Sequence, residues 1–446
     1  MGNEYTLAWH GEPVGTFQTG EGLSVENFEY VDGFPTDVIP TNEDGVPNFL
    51  HNLRPQGMMN KIFNESVHYK FRAPVSRFLS NFTVRNGDER RAEIDYHDDM
   101  LEDTGPGPYR DFVYFGETPC ATGEFLDKIK RFWSQNGMPR YSGFETKLPV
   151  TLKGNGLNIA GEGNSFTHFL KLPPTDEEHR RGLCFNEWYC LELSRAAGLP
   201  TSENAMVFLD EEPFPSLLSE RFDIPDNSNP MTWLISQDAC SLGDEDFSEA
   251  GSGSYEKLFK TIEGFSTDPD MDREDFYRRM VLTLAVQDTD FHKKNISMLI
   301  EYDPQQKEVV SRRIAPTYDV TSDIYSNDNS RGLTLSLAGK KSNINRKAMV
   351  RFGESIGLDK ERAEELLDRT MTDIVERAIE LSSDRSLIPN EDCGHIARRI
   401  TTLAVQTAKK MGVETPQWQD EPINKAVANG GGRIGFERAG VVMEYL

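Results

Sequence analysis

Apolar positions recur along this chain in two rhythms. Over residues 1–33 they alternate, as in Thr6-Leu7-Ala8-Trp9 and Val14-Gly15-Thr16-Phe17, around the turn His10-Gly11-Glu12-Pro13, and Asp32-Gly33 marks another turn. A period of two puts one strand face against a core, so short strands are predicted there. From Asn48 to about Phe82 the pattern turns helical. Asn86-Gly-Asp-Glu-Arg-Arg, the acidic run Asp95–Asp103 and Gly105-Pro-Gly-Pro108 read as an irregular connection.

A regular order begins at Tyr141. Leu148–Leu152 and a strand starting near Leu157 flank Gly154-Asn155-Gly156, a hairpin signal, and Phe166–Leu172 reads as a third strand. Phe185–Ala197 is predicted as a helix stopped by Gly198 and Pro200. Ala205–Leu209 and Ser216–Phe222 form a further strand pair around Asp210–Pro215, and the acidic stretch Asp223–Asn229 follows as a linker would. The rest reads helical apart from a short strand pair that ends at Asp319. Phe276, Met280 and Leu284 recur every fourth residue, Ala363 to Ala378 forms a second amphipathic helix, and Ile396 to Met411 a third, closed by Gly412. The predicted organisation is an N-terminal subdomain with its connection (1–135), a small sheet lobe (136–225), a large helical lobe (226–415) and a loosely held tail (416–446).

With 446 residues, 37% of them hydrophobic, the chain can bury a sizeable core. No apolar run approaches the ~18 residues of a membrane span. Met-Gly-Asn-Glu-Tyr-Thr fits a myristoylation pattern, but the alternation Tyr5-Leu7-Trp9 starts a strand at once and speaks against it. Five cysteines without a C-x-x-C pair point to a reducing cytoplasm with no disulfide or zinc framework. A net charge of −25 argues against independent nucleic-acid binding, because phosphate affinity comes from Lys and Arg.

The chemistry concentrates in Val286-Gln-Asp-Thr-Asp290-Phe-His292-Lys-Lys-Asn295 and Ala315-Pro-Thr-Tyr318-Asp319. Phosphoryl transfer needs one carboxylate to orient the attacking hydroxyl, and an amide oxygen with a second carboxylate to hold Mg²⁺. Asp290, Asn295 and Asp319 supply that set, and the D-x-x-x-x-N spacing is that of a kinase catalytic loop. Upstream, hairpin, strand with Lys171, helix with an acid, and hairpin is the order of a kinase small lobe. The acid is Glu187 or Glu192; five residues rotate a helix by about 140°, so only one can face the sheet. The bland readings are a loop acid at Asp290, an edge-strand Lys171 and a His292 that only fixes its loop. No Walker A pattern and no H-E-x-x-H occur.

Six segments, Tyr141-Ser-Gly143-Phe-Glu-Thr-Lys147, Phe169-Leu-Lys171, Asn186-Glu187-Trp-Tyr-Cys, Ser219-Glu220-Arg-Phe222-Asp, Thr289–Asn295 and Pro316–Asp319, resemble in order and spacing those of the HipA toxin kinases. Trp9…Val14-Gly and Asn48-Phe…Asn52-Leu53-x-Pro55 resemble that family's N-terminal subdomain. The resemblance implies an α+β, two-lobed protein-kinase-like fold and an ATP- and Mg²⁺-dependent serine/threonine kinase that phosphorylates a protein hydroxyl to arrest growth. An aminoacyl-tRNA ligase is one candidate substrate. It implies a HipB-like helix-turn-helix antitoxin as partner, through which alone nucleic acid is touched. Asp290 becomes the catalytic base, and Asn295 and Asp319 the metal ligands. Ser142, Gly143, Phe144, Glu145, Thr146 and Lys147 form the nucleotide turn. Lys171 contacts phosphate, held by Glu187; Glu220, Arg221 and Phe222 form the adenine hinge; His292, Lys293, Lys294 and Tyr318 lie near the nucleotide. Departures are Phe144-Glu145 in place of the family's small residue and Gln, Arg140 at the usual autophosphorylated serine with Ser142 nearby, Phe291 in place of a common glycine, and the extra carboxylate Asp288. The last two would narrow the substrate range or slow the reaction. Alternatives are a kinase-fold co-repressor with residual catalysis, and an AMP-transferring or small-molecule kinase.

Overall fold

The computed structural model describes residues 4–50, 147–174, 181–224, 232–325 and 332–418 apart from short breaks. It also describes the strand segments Val75–Arg77, Phe82–Asn86, Tyr114–Gly116, Gly440–Val441 and Met443–Tyr445. The first sheet contains β1 (Glu4–Trp9), β2 (Glu12–Thr19), β3 (Val25–Tyr30), β4 (Val75–Arg77) and β5 (Phe82–Asn86), in the order β3-β2-β1-β5-β4. The predicted helical stretch therefore ends in strands. β5 pairs with β1 from Tyr5↔Asn86 to Trp9↔Phe82, and satisfying that edge outweighs the local pattern. Residues 51–74 of that stretch lie outside the described ones.

The small lobe is a sheet of β6 (Tyr114–Gly116), β7 (Lys147–Lys153), β8 (Gly156–Ile159), β9 (His168–Lys171), β10 (Asn204–Leu209) and β11 (Ser216–Glu220). It runs in the order β6-β10-β11-β9-β7-β8 and is flanked by β15 (Gly440–Val441) on β6 and β16 (Met443–Tyr445) on β8. Two expectations are corrected here: the connection contributes strand β6, and the tail contributes both flanking strands. Helix α1 (Leu183–Ala196) packs on this sheet and ends where Gly198 takes φ +75°, a conformation that glycine adopts without a Cβ clash.

The large lobe is not wholly helical. β12 (Trp233–Asp238), β13 (Ser297–Asp303) and β14 (Glu308–Ile314) form a three-stranded antiparallel sheet. Around it stand α2 (Ala239–Leu242), α3 (Tyr255–Phe265), α4 (Pro269–Val286), α5 (Arg346–Ser355), α6 (Lys360–Ser383) and α7 (Glu391–Met411). The three predicted amphipathic helices are α4, α6 and α7, and their apolar stripes join α1 in one core. A second core joins the N-terminal sheet to the large lobe. Buried Trp9 meets Trp233 edge-on at 4.9 Å and stacks on Tyr302 at 5.5 Å. α4 starts at a proline behind the N-cap Asp268, whose side chain accepts from the Met271 amide at 3.2 Å. It stops at Gln287, which is left-handed with φ 53°, and this turns the chain into the loop that carries Asp290.

Candidate active site

Lys171 ends β9, an interior strand between β11 and β7, so the edge-strand reading fails; its side chain is only 7% exposed. A buried ammonium needs anionic partners. Its Nζ donates to both carboxylate oxygens of Glu187 at 2.8 Å and makes a short ion pair with Asp319. Glu192 faces elsewhere and takes Arg195 at 2.6 Å and Arg377 at 2.9 Å, so Glu187 is the acid that holds the lysine.

Lys147 stands directly across β7–β9 from Lys171, and its Nζ lies 3.9 Å from Asp319. Like charges directly opposite are unfavourable, and here two carboxylates offset them. Burial alone would raise the Asp319 carboxyl, but Lys147 and Lys171 outweigh it and hold this acid well below the usual carboxylate range. Its stabilising contribution is therefore complete above the ordinary carboxylate pKa of about 3.9 and is lost as pH falls toward the depressed folded value. The wild type's melting-temperature lead over Asp319→Asn is expected to be constant above about pH 5 and to shrink below about pH 4. A lead of the same size at every pH would contradict this assignment.

Asp319 itself is left-handed, with φ 49°. The flanking backbone is fixed on both sides. Thr317 donates to the Pro200 carbonyl at 2.7 Å and accepts from the Ser202 amide at 3.1 Å. Downstream, Asn186 of α1 clamps Ser322 through two 2.8 Å bonds, one to its carbonyl and one from its amide. The residue just before Glu187 thus ties the small-lobe helix to the Asp319 segment, a role that sequence reasoning missed although the Asn-Glu pair marked the spot.

The loop after α4 rests on a buried strut. Asp288 pairs with Arg279 at 2.7 Å and accepts from the Asp290 amide at 3.1 Å. Arg279 also lies 4.1 Å over the ring of Phe291, which stacks on Tyr255. Burial pushes the Asp288 carboxyl up, and Arg279 pulls against it. Asp288 and Phe291, the two departures beside Asp290, thus both sit in the core. Asp290 is exposed, and its carbonyl accepts from Asn295 Nδ2 at 3.0 Å, which turns the Asn295 amide oxygen the other way.

Other expected residues distribute unevenly. His292 Nδ1 accepts from the Lys294 amide at 3.3 Å, a loop-fixing bond, and His292 is also close enough to help depress Asp319. Lys293 pairs with Glu245, and Lys294 reaches Asp238 at 3.2 Å. The Tyr318 hydroxyl donates to the Lys294 carbonyl at 2.8 Å, and its ring lies 5.7 Å from that of Phe222. Arg221 is buried in a two-bond pair with Asp223, 2.9 Å each, and over the Phe166 ring. The Glu220 amide donates to the Glu203 carbonyl at 2.8 Å. Ser142, Gly143, Phe144, Glu145 and Thr146 lie outside the described residues, as does Arg140. Among the described residues no group of three or more His, Cys, Asp or Glu could hold a metal, and no helix is long and apolar enough to cross a membrane.

Comparison with known proteins fits this geometry. The model of the HipA-like C-terminal domain matches residues 140–378, more than half of the chain. Two Sinorhizobium fredii proteins named as inferred kinases are similar. Y4mE is 26% identical over 255 residues, covering 54% of this chain and 57% of the relative; Y4dM is 23% identical over 344 residues, covering 74% and 75%. The match thus spans little more than half the length of Y4mE. A chain of the Shewanella oneidensis complex of HipA, HipB and operator DNA superposes with a TM-score of 0.66 at 18% identity, covering 92% of this chain and 98% of that one. At that identity the likeness speaks for the fold, which is two-lobed and kinase-like. On the span of the matching domain, this chain belongs to the HipA-like kinase family.

Proposed function

We propose that the protein transfers the γ-phosphoryl group of ATP, with Mg²⁺, to a serine or threonine hydroxyl of another protein. The observation that carries this reading is the single ammonium of Lys171 shared between Glu187 and Asp319, with Lys147 alongside. The residues fit the nucleotide and its metal. A depressed carboxylate and an amide oxygen, Asp319 and Asn295, are the hard oxygen donors Mg²⁺ prefers, and two converging lysines suit phosphate oxygens. Bound Mg²⁺ supplies charge neutralisation on the transferring group. Asp290 accepts the proton of the incoming hydroxyl, Asn295 and Asp319 hold the metal, and Lys171 and Lys147 orient phosphate. Phe222, against Tyr318, borders the space for the base, with Glu220 beside it.

The Shewanella oneidensis complex and the −25 charge of this chain support a HipB-like partner that carries the DNA contact; a protein target such as an aminoacyl-tRNA ligase rests on the motif resemblance alone. Saturating Mg·ATP is expected to raise the melting temperature by the equivalent of about 2.7 kcal/mol at 100 times Kd. The rise should vanish with EDTA and in Asp319→Asn. No rise in the wild type at millimolar Mg·ATP would defeat the reading. Mass spectrometry of the modified protein distinguishes one added phosphoryl group from an AMP group, the outcome that would turn it into a nucleotide transferase.

A further inference from the structure

We propose that Asp238 is a positioning residue for the loop carrying Asp290 and Asn295, and that the N-terminal sheet sets the posture of that loop through it. This goes beyond the phosphotransfer reading, and rests on it only for the rate measurement below.

β12 joins a contact with the N-terminal sheet at its start to a contact with the loop at its end. At its start, Trp233 packs edge-on against Trp9 of the N-terminal sheet. At its end, Asp238 divides its carboxylate between two elements. Oδ1 accepts from the Ser241 amide at 3.0 Å as the N-cap of α2, and Oδ2 accepts from Lys294 Nζ and from the Ser241 hydroxyl, at 3.2 Å each. The next backbone amide, Ala239, donates to two loop carbonyls, those of Lys293 and Ile296, at 3.0 Å each. Residues 238 and 239 therefore grip the loop at three points on either side of Asn295, and none of these three bonds is to Asn295 or Asp290. Lys294 relays the grip onward, because its carbonyl accepts from Tyr318, the neighbour of Asp319.

The N-terminal region holds the far end of the same short helix. Asn48 Nδ2 donates to the Ser241 carbonyl at 2.6 Å from a position 3% exposed, and its Oδ1 is buried without a hydrogen-bond partner. A buried unmet acceptor is unfavourable, so the bond from Nδ2 is what this placement provides. Asn48, Ser241, Asp238 and Lys294 thus form one continuous chain of hydrogen bonds from the N-terminal region to the loop. Misplacing a reacting group by even an ångström slows a reaction strongly, so such a grip acts on rate without contact with the reactants.

Asp238→Asn separates the two duties, since its amide oxygen still caps α2 and its NH₂ can donate to the Ser241 hydroxyl but cannot accept from Lys294. In full-length protein without nucleotide, hydrogen exchange over 289–297 is expected to speed up about tenfold in Asp238→Asn at unchanged melting temperature, and further in Asp238→Ala. Asn48→Ala should act in the same direction by a smaller factor, and the double variant Asn48→Ala/Asp238→Ala should fall short of the product of the two. With Mg·ATP, kcat should drop about tenfold while KM for ATP moves less than threefold. Unchanged exchange over 289–297 in Asp238→Asn, or independent effects of Asn48→Ala and Asp238→Ala, would overturn the proposal. If the wild type transfers no phosphate, the kinase reading fails, and exchange alone still decides the role of Asp238.

Discussion

Asp290→Asn is expected to yield a folded protein that still binds Mg·ATP and transfers essentially nothing. Asp290 is exposed at the turn beyond α4; its amide and carbonyl, not its carboxylate, make the bonds to Asp288 and Asn295 that shape the loop. An asparagine keeps both backbone bonds and nearly the same volume, so the melting temperature should stay within about a degree, as for surface changes generally. On the proposed reading, what disappears is the proton acceptor. Loss of a positioned general base typically slows a reaction about 10²–10⁴-fold. Transfer of labelled γ-phosphate should fall by that factor, while the Mg·ATP-induced thermal shift remains. Transfer at the wild-type rate would remove Asp290 from its role and leave the rest of the site standing.

Arg279→Met should produce the largest loss of stability. The guanidinium, 4% exposed, is bonded to Asp288 and to the Thr283 hydroxyl at 2.7 Å each and lies over Phe291. Removing it leaves the fully buried Asp288 with no opposing charge. Breaking such a pair costs about 3–5 kcal/mol, more than either the hydrogen bonds or the ring contact alone. Denaturant unfolding should show this as a lower midpoint, and adding Asp288→Asn should restore part of it, because the uncompensated charge goes too. A loss below about 1 kcal/mol would mean that the strut is not what holds the loop down.

How far the sequence could be read depended on the distance between partners. α4, α6 and α7 carry their own periodicity, and α7 its closing Gly412, so they were legible. Lys171 was legible because strand and helix follow each other closely, but helix geometry left its acid open between Glu187 and Glu192, and only the family resemblance favoured Glu187. What occupies Glu192 includes Arg377, 185 positions away. The Asn186–Ser322 clamp joins residues 136 positions apart and has no local signature. β12 was lost inside a region that reads helical, because only pairing with β13, some sixty residues on, makes Trp233–Asp238 a strand. β6 and the tail strands depend on parallel partners more remote still. At Asp288 and Phe291 the sequence showed a departure from the family pattern but not its depth: both side chains are buried beside Asp290.

The C-terminal border of the matched domain, 378, cuts through packed protein, and its N-terminal border, 140, leaves out the sheet that carries Trp9. Ala378 lies inside α6, where its carbonyl accepts from Tyr189 at 2.6 Å, and Tyr189 in turn meets Thr401 of α7 at 2.8 Å. On the other side, removing Trp9 would bare Trp233 and Tyr302. A gene trimmed to those limits would encode two raw, greasy faces, and its product would seek cover by clumping with copies of itself. Anyone wanting a minimal version must keep both ends.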